Sequence, residues 1–126
     1  MIDRKDIDRV LCQGKIIYSK NDSYPNADNG FVWIKYADGT FELWYNGTIT
    51  STTAPYPTQA TCQDFSVVSI LGGAYSGGLQ GSEAHGLKYT NLSITYANLP
   101  RFDGYGGASG TWLCSGYMFG RWKKDY

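Results

Sequence analysis

Two short runs crowded with aromatic and apolar residues, Phe31 to Tyr36 and Phe41 to Tyr45, meet at Asp38-Gly39. Asp-Gly between such runs is a strong signal for a two-residue hairpin turn. A turn of that length sets Tyr36 opposite Phe41, Lys35 opposite Glu42, Ile34 opposite Leu43 and Trp33 opposite Trp44. Side chains alternate between the faces of a strand. This register therefore predicts one apolar face, made of Val32, Ile34, Tyr36, Phe41, Leu43 and Tyr45. The other face carries a Trp pair and an opposite-charge pair, each pairing worth up to about 1 kcal/mol.

The same reading extends along the chain. Gln13 to Tyr18 predicts a first short strand, and the spacing of Ile2, Ile7, Val10 and Leu11 predicts one or two helical turns. Asn21 to Gly30 has loop chemistry, and Thr48 to Thr61, rich in Thr, Ser and Pro, runs extended or looped across the surface. Phe65 to Leu71, apolar on both faces, predicts a buried strand. Leu87 to Tyr96 alternates at its end, with Leu92, Ile94 and Tyr96 inward and Ser93 and Thr95 outward. Thr111 to Trp122 predicts a last strand or hairpin broken by Gly116 and Gly120. The sum is about six to eight short strands, an all-β antiparallel sandwich or β-roll. Two glycine-dense stretches read as loops: Gly72 to Gly86, with six glycines in fifteen residues, and Asp103 to Gly110, with four in eight.

Composition narrows the partners. The 126 residues fit one domain, and 16 glycines, 11 tyrosines and 17% charge favour strands and turns over helices. Net charge is zero, and the one basic cluster is Arg121, Lys123 and Lys124, so nucleic acid is not an expected partner. No run reaches the roughly 20 apolar residues that span a bilayer, so membrane insertion is not expected. Met1 to Asp6 lacks the apolar stretch of a signal peptide, so the sequons at Asn21, Asn46 and Asn91 carry little weight. The widely spaced Cys12, Cys62 and Cys114 are expected as free thiols in a reducing compartment.

The stretch Asn26-Ala27-Asp28-Asn29-Gly30-Phe31-Val32-Trp33-Ile34-Lys35-Tyr36-Ala37-Asp38-Gly39-Thr40, closing in Phe41-Glu42-Leu43-Trp44, resembles a pattern in a known family. The family is the C-terminal receptor-binding (head) domains of tail fibres from phages and prophages of Gram-negative bacteria. There a Gly precedes an aromatic-rich strand, a Tyr or Phe, Ala, Asp-Gly-Thr and a strand ending in Trp. The family's second mark, a terminal strand ending in Gly-Arg-Trp, is matched by Gly120-Arg121-Trp122 near the chain end. Together the marks frame residues 26 to 123. The resemblance implies a sandwich-like, usually homotrimeric head, here residues 21–126; residues 1–20, whose first eleven match nothing in the family, read as a stub or linker to an upstream fibre. It also implies residence in the virion after synthesis in the host bacterial cytoplasm. Its loops would touch lipopolysaccharide or an outer-membrane protein. The His-x-His iron motif of some fibre tips is not carried over, because His85 is the single histidine.

Tyr75 and Tyr105 are the expected recognition residues, since tyrosine on a glycine-rich loop offers a flat contact and a hydroxyl at low entropy cost. Asp103, His85 and Glu83 would bond to ligand hydroxyls. Trp33, Asp38, Gly39 and Trp44 read as the structural hairpin, and Arg121 as an ion-pair or cation–π residue. His85 with Glu83 and Ser82 is no catalytic site, because neighbours in one glycine-rich loop are rarely held rigidly enough to act as acid and base. Glycosidase chemistry needs two carboxyls facing each other across a bond, and the sequence places no such pair on one scaffold face. Asn26-x-Asp28-x-Gly30 lacks the glutamate that closes a calcium loop. No cofactor, metal or catalytic residue is expected. The expected function is adhesion to a bacterial surface receptor, most simply a lipopolysaccharide saccharide. The alternatives are a structural trimer-forming tail component without receptor contact and a lectin-like domain unrelated to phage.

Overall fold

The hairpin forms where the sequence places it, but it closes on three residues instead of two. Gly39 N–H donates to Tyr36 O at 3.1 Å, and Gly39 alone in the turn has positive φ, at 92°. This is a type I turn followed by a left-handed glycine, whereas a two-residue type I′ turn would also force Asp38 into the left-handed region. Asp38 instead uses its carboxylate to accept from Thr40 N–H at 3.0 Å and from the Thr40 hydroxyl at 2.5 Å. Those hydrogen bonds, with a smaller contribution from Arg121, hold the Asp38 carboxyl below its usual range. The extra loop residue shifts the register by one: Lys35 faces Phe41, Trp33 faces Leu43 and Val32 faces Trp44. A one-residue shift exchanges faces. Trp33 and Lys35 thus turn inward with Phe41, Leu43 and Tyr45, while Val32, Ile34 and Tyr36 turn outward with Glu42 and Trp44. The expected Trp33–Trp44 pair and the single apolar face do not form.

The computed structural model describes residues 16–20, 30–81 and 85–124, and among them every regular element is a β-strand. In chain order these are β1 (Ile16–Lys20), β2 (Phe31–Tyr36), β3 (Thr40–Ser51), β4 (Ala60–Thr61), β5 (Ser69–Leu79), β6 (Tyr89–Ile94), β7 (Pro100–Tyr105) and β8 (Gly110–Arg121). They make two antiparallel sheets, a five-stranded one in the order β1-β2-β3-β8-β5 and a three-stranded one in the order β4-β7-β6. The all-β antiparallel class read from the sequence holds. The helical turns expected between Ile2 and Leu11, most of the Asn21–Gly30 loop, and Cys12 lie outside the described residues.

The two sheets share one core. Phe41, Leu43, Tyr45, Trp112, Cys114 and Met118 enter it from β3 and β8, Phe102 from β7, and Phe65 and Val67 from the irregular β4–β5 connection. Phe102 joins the sheets, its ring 6.0 Å from Tyr45 and 5.3 Å from Tyr75. Gly116 leaves room for that ring, which any side chain there would strike. β8 therefore runs unbroken through Gly116 and Gly120, where the sequence suggested interruption. Other expectations also move. Phe65 to Val68 is irregular, and Val68 and Leu71 are exposed. Thr48 to Ser51 completes β3. Tyr96 lies in the β6–β7 turn, fully exposed instead of inward.

The chain end fastens the hairpin. Arg121 donates to Asp38 O at 3.0 Å, Trp122 Nε1 to Tyr36 O at 2.9 Å, and Trp122 N–H to Gly39 O at 2.8 Å. The Lys35 ammonium lies 4.3 Å from the Trp122 ring centroid, a cation–π distance. The two stretches that carried the family resemblance thus meet in space.

Buried phenols make the fold sensitive to alkali. Burial pushes Tyr45 up to about 12. Tyr117 also rises to about 12, through burial first and its bond to Glu42 second, and burial raises Tyr75 in the same direction. Above the ordinary tyrosine value of about 10 the unfolded chain has lost these protons while the folded chain keeps them. The stability they contribute is thus complete below about pH 10 and is lost as pH climbs through about 12. Urea midpoints are expected to fall steeply across that window, and less steeply in Tyr45→Phe; an unchanged slope in that variant would refute the assignment.

Candidate functional site

The outer face of the three-stranded sheet gathers the polar and aromatic groups that the core does not use. Its inner residues are Leu92 and Ile94 on β6, Phe102 and Gly104 on β7, and Thr58 and Ala60 on and before β4. The period of two then sends the alternate residues outward. Pairing aligns Tyr89 with Tyr105, Asn91 with Asp103 and Ser93 with Arg101. On the other side Pro57 pairs with Tyr105 and Thr61 with Arg101, which leaves Gln59 beside Asp103. The result is three rows: Pro57–Tyr105–Tyr89, Gln59–Asp103–Asn91 and Thr61–Arg101–Ser93. Successive rows are about 7 Å apart, two residues of strand rise.

The first row is apolar and open. Tyr89 and Tyr105 are 43% and 38% exposed and stack with centroids 5.4 Å apart and planes 22° from parallel. Tyr105 is held through its backbone, its carbonyl accepting from Lys88 N–H at 3.0 Å. Hydrogen bonds from Thr58 N–H to Gly104 O and from Gly106 N–H to Tyr56 O tie down the residues on either side of it. Tyr56 itself sits at φ 64°, an uncommon conformation for a bulky residue and one that marks a locally constrained segment.

The second row is built around a carboxylate. Asp103 Oδ1 accepts from Gln59 Nε2 at 2.7 Å, and Oδ2 accepts from Arg101 Nη2 at 3.4 Å. In the third row Arg101 Nε donates to Ser93 Oγ at 3.1 Å. The guanidinium is thereby oriented from two directions, and the face carries one negative and one positive charge in contact.

Of the residues singled out in the sequence, Asp103 and Tyr105 come together here, on strand β7 and not on a loop. Tyr75 does not join them. The glycine-rich stretch around it is strand β5, and Tyr75 is 6% exposed, with its ring against Phe102 and its hydroxyl donating to the Thr58 carbonyl. Gly73 and Gly77 serve packing, since a side chain at either would collide with β8. His85 is exposed on the β5–β6 connection, its carbonyl accepting from Leu79 N–H at 3.0 Å. Ser82 and Glu83 lie outside the described residues. Trp33 donates from Nε1 to Asp64 at 3.0 Å and packs on Phe65. Trp44 lies on the opposite side of the large sheet against Tyr117.

Tyr89, Asn91, Gln59 and Arg101 were not anticipated. The alternation that placed Leu92 and Ile94 inward, carried back two and four residues from Ser93, puts Asn91 and Tyr89 outward, so a signal for those two was present. Gln59 and Arg101 needed the strand pairing. Among the described residues no group of three or more His, Cys, Asp or Glu side chains is placed to hold a metal ion. No protein-family model, no curated protein and no solved structure matches the chain.

Proposed function

We propose that this chain is the receptor-binding head of a phage tail fibre, adhering without chemical turnover to a saccharide of bacterial surface lipopolysaccharide. The observation that carries this reading is the exposed Tyr89–Tyr105 stack beside Asp103 and its flanking amides. A sugar ring presents apolar C–H faces and a rim of hydroxyls, and a phenol face next to a carboxylate and amides complements both. The sequence resemblance supplies the phage context. In that context the protein is made in the host cytoplasm and carried in the virion.

Association into a homotrimer belongs to the same proposal and draws support from the outer face of the five-stranded sheet. Leu71, Leu113 and Phe119 are 63%, 51% and 39% exposed there, alongside Trp44 and Tyr117. Large apolar side chains exposed on one sheet face suit a contact face. Several weak sites on one particle then act together through avidity. An unchanging monomer in sedimentation of the purified chain would remove the trimer.

The reading is tested by adsorption to Gram-negative cells with and without their surface polysaccharide stripped. Binding is expected to disappear on stripping, and Tyr105→Ala is expected to weaken it about tenfold or more, as loss of an aromatic anchor does. Binding that survives stripping moves the receptor to an outer-membrane protein, and adsorption by Tyr105→Ala equal to the parent's removes this face from the function.

A further inference from the structure

The face also discriminates among saccharides, an inference that rests on the binding role just proposed. Its centre is an acceptor. A carboxylate offers about four lone-pair positions, and Asp103 uses one oxygen for Gln59 and the other for Arg101. Each oxygen therefore keeps acceptor capacity, on a side chain that two neighbours hold in place and that is 18% exposed. Arg101 is partly engaged, its Nε bonded to Ser93 and its Nη2 to Asp103, and its charge is offset by the carboxylate it touches. An anionic ligand on this face would sit beside the like charge of Asp103. A neutral ligand with adjacent hydroxyls meets no such repulsion, and two neighbouring O–H donors suit the two oxygens of one carboxylate. The stacked tyrosines lie one row away, about 7 Å along the strands, close enough for the same ring or its neighbour to rest on Tyr105.

We infer that the ligand is a neutral sugar bearing a vicinal diol, its hydroxyls donating to Asp103 and its C–H face lying on Tyr105. Acidic sugars, whether uronates or phosphorylated residues, are selected against by Asp103 itself.

The experiment uses the whole chain and the polysaccharide released from a strain that it adsorbs to, presented in three forms. One is untreated; one has been oxidised with mild periodate, which cleaves vicinal diols and leaves acidic groups; one has had its carboxyl groups reduced and its phosphates removed, which leaves diols. Retention on immobilised polysaccharide is expected to vanish after periodate and to persist after removal of the acidic groups, with little dependence on salt. Asp103→Asn is expected to reduce affinity about tenfold or more, as loss of a charged hydrogen-bond acceptor does, with an unchanged thermal melt. Retention that survives periodate, or is lost when acidic groups are removed, overturns the diol assignment. If Tyr105→Ala still abolishes retention in that case, the binding face itself stands. If neither Tyr105→Ala nor Asp103→Asn changes retention, the face is wrong as well, and if the untreated polysaccharide is not retained, both ideas fall together.

Discussion

Phe102→Ala is expected to lower the free energy of unfolding by about 3–5 kcal/mol, the range for removing a fully buried aromatic side chain. Phe102 is completely buried and bridges the two sheets by touching Tyr45 and Tyr75. The residue beneath it is Gly116, which has no side chain to move into the vacated space, so the cavity stays open and the loss lies toward the upper end. A domain of this size has about 5–15 kcal/mol in total, so the loss removes a large share of its stability. Since Phe102 sits between Arg101 and Asp103 on β7, ligand retention should fall with it. Chemical denaturation gives the number directly, and a change below about 1 kcal/mol would mean that the sheets can close over the gap.

The second large effect concerns assembly. Aspartate at both Leu113 and Phe119 is expected to convert the proposed trimer to monomers while leaving the fold of each chain intact. Both side chains point away from the core, with half and more than a third of their surface open, so the isolated chain loses little. In an interface, each carboxylate would be buried without a partner, at a cost of about 3–5 kcal/mol, more than a hundredfold in affinity per site. Sedimentation and circular dichroism together separate the outcomes. Persistence of a trimer would place the contact elsewhere, and loss of the β signal would show that the face supports the fold and not assembly.

What was legible in the sequence follows the range of the interactions that decide it. The hairpin could be located from Asp38-Gly39 and its aromatic flanks, but its closing length depends on the Thr40 bonds and on Arg121, which reaches Asp38 O from 83 residues away. That one residue of difference moved Trp33 inward and Tyr36 outward. Around Tyr75 the local composition suits a loop or a strand equally well. The decision lies in Gly73, just past a β-bulge, whose φ of 142° only glycine readily adopts and where any side chain would strike the Tyr117 carbonyl of β8. Asp103 and Tyr105 stand out by their chemistry alone, and β7 sets both on one face. Gln59 and Arg101 were not, because they gain their places only through the pairing of β4 with β7.

The register of the small sheet has a further consequence for change over generations. Every outward position, from Pro57, Gln59 and Thr61 through Tyr89, Asn91 and Ser93 to Arg101, Asp103 and Tyr105, carries an odd number, and the positions that hold the core carry even ones. Stability and specificity are written in separate, interleaved letters of the same strands. A lineage could therefore redraft the proposed recognition face one odd-numbered letter at a time while the even-numbered text that joins the small sheet to the core is copied unaltered.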